Sequence, residues 1–128
     1  MNTDGALADA ICDSLARLGS SVQGVVGPVQ SYVETHHSQV LDLVALLVFH
    51  PPGDRSYELA VVSVEARGVR WTIDLVDRES MVVWEEHLVS GNRSEDGGEG
   101  THPAVHDVDR LLAQHRAATI ETVRKGLG

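Results

Sequence analysis

Residues 41–89 read LDLVALLVFHPPGDRSYELAVVSVEARGVRWTIDLVDRESMVVWEEHLV, and this stretch decides the fold. Leu41 to Phe49 is a nearly continuous apolar run closed by Pro51-Pro52-Gly53-Asp54, the pattern of a strand ended by a turn. Tyr57 to Ala66 forms a second strand, Val69 to about Val76 a third after Arg67-Gly68, and Met81 to Val89 a fourth after Asp77-Arg78-Glu79-Ser80. Short connections between such runs predict a mainly antiparallel meander.

A two-residue loop at Arg67-Gly68 sets Val64 opposite Trp71, Val62 opposite Ile73 and Ala60 opposite Leu75 on a core face. The other face then pairs Glu65 with Arg70, Ser63 with Thr72 and Val61 with Asp74. An opposite-charge pair and a hydroxyl pair are favoured across strands by roughly 0.2 to 1 kcal/mol each. Continued into the fourth strand, the pattern puts Val82, Trp84 and Leu88 inward and Val83, Glu85 and His87 outward. Glu86 points inward near Trp71 unless a bulge or strand end intervenes.

Helical patterns flank the strands. Leu7, Ile11, Leu15 and Leu18 form an apolar stripe over about Gly5 to Leu18, interrupted by Gly19-Ser20-Ser21. A second helix is expected from Pro28 to about His36, with Pro28 in its first turn and the His36-His37 imidazoles near its terminal carbonyls. Ser90 to about Thr101 is acidic and glycine-rich, and reads as a mobile loop. A last amphipathic helix runs from about Thr101 or His102 to Lys125. Val105, Val108, Leu112, Thr119 and Val123 line one side, with Asp107, Arg110, Gln114, Glu121 and Lys125 opposite. The expected fold is a single α+β domain over residues 1–128: a two-layer sandwich of two N-terminal helices, a four-stranded sheet and a C-terminal helix.

Composition narrows the function. The chain has 19 acidic and 10 basic residues, for a net charge of -9, and only Lys125 is a lysine. Phosphate-backbone binding draws on clustered Lys and Arg, so nucleic acid is not an expected partner. A basic protein surface is, although acidic solubility explains the same charge. No apolar run approaches the length of a membrane span, no secretory leader is read at the start, and the lone Cys12 forms no intrachain disulfide; a cytoplasmic protein is the expectation.

Motifs for chemistry are few. His102, His106 and Asp109 have spacing that one helix edge could use for a metal, but His102 precedes Pro103 and no H-E-x-x-H pattern accompanies them. Neither a metal nor a cofactor is expected. Cys12 lies beside the Ile11 stripe without a basic sequence neighbour, so a buried, inert thiol is expected. Phosphate-binding and nucleophile-elbow sequences are missing. Gly97-Gly98-Glu99-Gly100 stands among carboxylates that repel anions.

Two surfaces remain. Glu65, Arg70, Thr72, Asp74, Glu85 and His87 mix with apolar groups on the outer sheet face and form the candidate partner-binding site, against the alternative of a merely solvated face. The apolar Leu41 to Phe49 strand would be an exposed edge in a four-stranded meander, so a cover is expected: a helix, another strand order, or a second copy in a homodimer. The expected function is a small protein-binding module such as an inhibitor, immunity-type neutraliser or chaperone-like adaptor. The alternative is a ligand-binding or enzymatic pocket between sheet and C-terminal helix, walled by Trp71, Trp84, Glu86 and His115.

Overall fold

A computed structural model describes residues 3–36, 43–53, 58–67, 70–77, 81–89 and 103–127. The expected loop at 90–101 and His37 and His102 fall outside them. Helix α1 (Thr3–Val26) leads into strands β1 (Gln30–His36), β2 (Leu43–His50), β3 (Ala60–Arg67), β4 (Arg70–Asp77) and β5 (Met81–Val89), followed by helices α2 (Pro103–Gln114) and α3 (Arg116–Leu127). The five strands form one antiparallel meander in the order β1-β2-β3-β4-β5.

The fold is α+β, as read from the sequence, but with five strands and a single N-terminal helix. Residues 30–36, expected as part of a second helix, are β1. Gly27 takes a positive φ of 91° and donates its N–H to the Gln23 carbonyl at 3.0 Å, which ends α1 in a left-handed cap. Gln23 Nε2 also donates to the Val29 carbonyl at 2.6 Å and holds the turn. Beyond it Tyr32, Val33 and Thr35 are strand formers, and their propensity prevails.

Helix α1 is not broken at Gly19 as expected, but continues to Val26. The glycine serves packing: a Cβ there would stand 3.1 Å from Leu47 Cδ1 and 3.2 Å from Ser31 Oγ, so its absence lets α1 lie close on β1 and β2. Ile11, Leu15, Leu18 and Val22 are buried along this contact.

Strand β1 also answers the question of the apolar strand's edge. β2 pairs with β1 on one side and β3 on the other, so it is interior and its two apolar faces belong inside a sheet. The expectation that a homodimer forms through the edge of Leu41 to Phe49 therefore loses its premise.

The β3–β4 register is displaced by two residues from expectation. Val64 pairs with Ile73 and Val62 with Leu75, which sets four fully buried side chains against one another. Because the shift is even, every side chain keeps its expected face. Between β4 and β5 the ladder shifts at Leu75/Val76: Trp84 pairs with Leu75, Val82 with Val76, and Val83 is the extra, exposed residue of a bulge. Val82 thus takes a register position in the outer row, not the inner row expected, and Glu86 pairs with Ile73 while Leu88 pairs with Trp71.

The C-terminal helix is bent at His115 into α2 and α3. Helical hydrogen bonds persist across the bend, from His115 N to Leu111 O and from Thr119 N to His115 O, both 3.0 Å. Thr119 Oγ1 also donates to the His115 carbonyl at 3.1 Å, and such back-bonding bends helices. α2 contacts β5, and α3 contacts β3 and β4.

All three helices cover one face. The core unites Leu43, Ala45, Leu47, Phe49, Val62, Val64, Ile73 and Leu75 of the strands with Ile11, Leu15, Val22, Val108, Leu112, Ile120 and Val123 of the helices. The Arg17–Asp109 pair at 3.0 Å links α1 to α2, and Arg116 Nε donates to Ser21 Oγ to link α3 to α1. No helix among the described residues is long and apolar enough to cross a membrane.

Candidate functional site

The alternation of strand side chains sends one set of register rows away from the helices. Three such rows cross the five strands. The first is Tyr32, Val48, Val61, Val76 and Val82; the second Glu34, Leu46, Ser63, Asp74 and Glu85; the third His36, Val44, Glu65, Thr72 and His87. An apolar row thus lies beside an acidic row, with His36 and His87 at the two end positions of the next.

Burial follows position in the sheet. Val48 is 2% exposed although it stands apart from the helix-covered core, and Val44, Leu46, Val61 and Val76 are half-buried. Tyr32 and Val83, on the two outermost strands, are 41% and 43% exposed.

Of the residues expected to bind a partner, Glu65, Thr72, Asp74 and Glu85 come together on this face. Arg70 and His87 are placed by strand register only. Glu65 pairs with Thr72 rather than with Arg70, which pairs with Arg67, so the expected cross-strand ion pair is replaced. Ser63, directly opposite Asp74, donates its hydroxyl to Glu65 Oε2 at 3.1 Å. Asp74 also stands directly opposite Glu85 across β4 and β5. A cation docking there is attracted by both carboxylates.

The sequence reading did not include β1 in this face. Tyr32 and His50 stack with ring centroids 5.4 Å apart, and the phenol lies 3.2 Å from His50 Nε2. Desolvation, then the carboxylates of Glu34 and Glu58, raise the Tyr32 phenol above its ordinary range. His36 Nε2 lies 3.3 Å from Glu34 Oε1 on the strand, not at a helix end as expected. The alternation of Tyr32, Glu34 and His36 with Ser31, Val33 and Thr35 was the signal that reveals β1.

The alternative pocket is partly assembled. Trp84 and His115 meet as stacked rings, with centroids 4.2 Å apart and planes 16° apart, and Trp84 packs against the core. These two side chains are in contact and do not face each other across a void. Trp84 Nε1 is buried with no hydrogen-bond partner among the described residues. Trp71 and Glu86 are placed by register in neighbouring inner rows.

For the weighed metal ligands, Asp109 is drawn into its ion pair with Arg17. Among the described residues no group of three His, Cys, Asp or Glu side chains is placed to hold a metal. Cys12 is half-buried; burial first, then Asp9 and Asp13, raise its thiol above the ordinary value.

No protein family, curated protein or solved structure matches the chain in the comparisons made.

Proposed function

We propose that the protein is a cytoplasmic protein-binding module, of the inhibitor, immunity or chaperone-like adaptor kind, whose outer sheet face receives a basic protein surface. The observation that carries the reading is the arrangement of that face: an apolar row beside an acidic one, opposite the layer that holds all three helices. Apolar groups beside charged ones supply contact area together with orientation. The net charge of -9 steers a basic partner from a distance, and Glu34, Glu65, Asp74 and Glu85 fix where it lands. The lone cysteine fits a reducing compartment.

The test compares two variants of equal charge change. Glu34→Lys/Glu85→Lys alters exposed residues of the face, and Asp13→Lys/Glu121→Lys alters exposed residues of the helix layer. A basic protein captured from native lysate, then purified, is expected to bind the wild type and the helix-layer variant, to lose the face variant, and to weaken as salt rises. Equal binding by both variants, or loss with the helix-layer variant alone, sinks the proposal.

A further inference from the structure

The two edges of the sheet differ. β5 is bulged at Val83, whereas β1 pairs with β2 through seven consecutive residues without a shift. The β1 sequence, Gln-Ser-Tyr-Val-Glu-Thr-His, contains neither the proline nor the lysine that commonly blunts an edge. It stands at one end of the strand order, so its outward side meets no further strand among the described residues.

We propose that β1 pairs antiparallel with β1 of a second copy about a two-fold axis at Val33, joining two sheets into one of ten strands. The register follows from symmetry. A two-fold perpendicular to the sheet keeps each residue on its face, so the axis must pass through a residue and its own copy. At Glu34 it would set the carboxylates directly opposite each other, which is unfavourable. Axes at Tyr32 or Thr35 leave part of the strand unpaired. At Val33 all seven residues of β1 find partners: Val33 meets its copy, Ser31 meets Thr35, Tyr32 meets Glu34, and Gln30 meets His36.

The helix layer accommodates this arrangement. α1 lies over β1 and β2. With adjoining strands about 4.8 Å apart, the two α1 axes come to about 10 Å, at the upper end of helix packing distances. Arg17 and Ser21 reach from α1 toward α2 and α3, so the opposite flank of α1 overhangs the β1 edge. That flank carries the small residues Cys12, half-buried, and Ala16, exposed, with the exposed carboxylates of Asp9 and Asp13 near Cys12, so salt that screens them favours the pairing.

The experiment reads molecular mass by light scattering over a dilution series, with circular dichroism to confirm the fold. The wild type is expected at twice the chain mass. Tyr32→Glu, which sets carboxylate against Glu34 of the other copy, is expected at the monomer mass, and Tyr32→Glu/Glu34→Lys returns to the dimer. A monomeric wild type, a dimer indifferent to Tyr32→Glu, or a double variant that stays monomeric overturns the proposal. Should Tyr32→Glu fail to fold, Val33→Cys in a Cys12→Ser background decides: it must crosslink to a dimer on oxidation, and lack of crosslinking overturns the proposal. Mass is independent of any partner on the outer face, so this pairing and the function proposed above can fail separately.

Discussion

Trp84 of β5 and His115, between α2 and α3, stack at 4.2 Å between ring centroids, an aromatic contact that adds to the apolar core joining the helix layer to the sheet. Stacked aromatic pairs contribute about 0.5–1.5 kcal/mol beyond the area they bury. His115→Ala should therefore lower stability by about 1–2 kcal/mol once lost packing is included. Urea unfolding should show an earlier midpoint with unchanged slope, and in a Trp71→Phe background the Trp84 emission should shift to the red. An unchanged midpoint and spectrum would show that the stack holds nothing.

Gly19 tests how closely α1 approaches the sheet. Alanine at a helix interior gains about 1 kcal/mol over glycine, while its Cβ must displace Leu47 and Ser31 by a few tenths of an ångström. The two effects nearly cancel, so Gly19→Ala should lie within about 1 kcal/mol of the wild type. Gly19→Leu has no such room and should lose about 1–3 kcal/mol. Comparable stability for both variants in thermal unfolding would refute the close approach.

The Arg17–Asp109 pair is open to water, with 64% and 53% of the side chains exposed. A double-mutant cycle with Arg17→Ala and Asp109→Ala should give a coupling of about 0.2–1 kcal/mol that shrinks with added salt. A larger coupling that survives high salt would mark the pair as a structural tie.

Cys12 should react slowly with thiol reagents at neutral pH, because burial first, then Asp9 and Asp13, raise its pKa above the ordinary thiol value. Well below the ordinary thiol pKa the group is protonated in both folded and unfolded chains, so its contribution to stability is fully present there. Above that value the unfolded chain ionises first, and the contribution is lost as the pH rises through the raised folded value. Asp9→Asn/Asp13→Asn should speed alkylation at a fixed alkaline pH; an unchanged rate would leave burial as the sole cause.

Much of the sheet was legible because alternation is a strong signal where one face is buried. Val62, Val64, Ile73 and Leu75 were placed on the core face, and the two-residue register shift left that assignment intact. The candidate face was legible to the same extent, since Glu65, Thr72, Asp74 and Glu85 share it. The strand β1 is hidden because Pro28 suits the first turn of a helix and Val29 and Val33 stand four apart, whereas the left-handed Gly27 ends α1 just before them. Tyr32, Glu34 and His36 are hidden with it. The bulge at Val83 and the bend at His115 depend on tertiary packing and on a threonine back-bond, neither of which has a sequence period.

The bulge at Val83 also bears on how far assembly can proceed. A sheet regular at both edges could add copies at either end and grow into a filament. Among the described strands the β5 edge is interrupted by the bulge, so the proposed pairing through β1 would use the regular edge and stop at a closed particle of two chains.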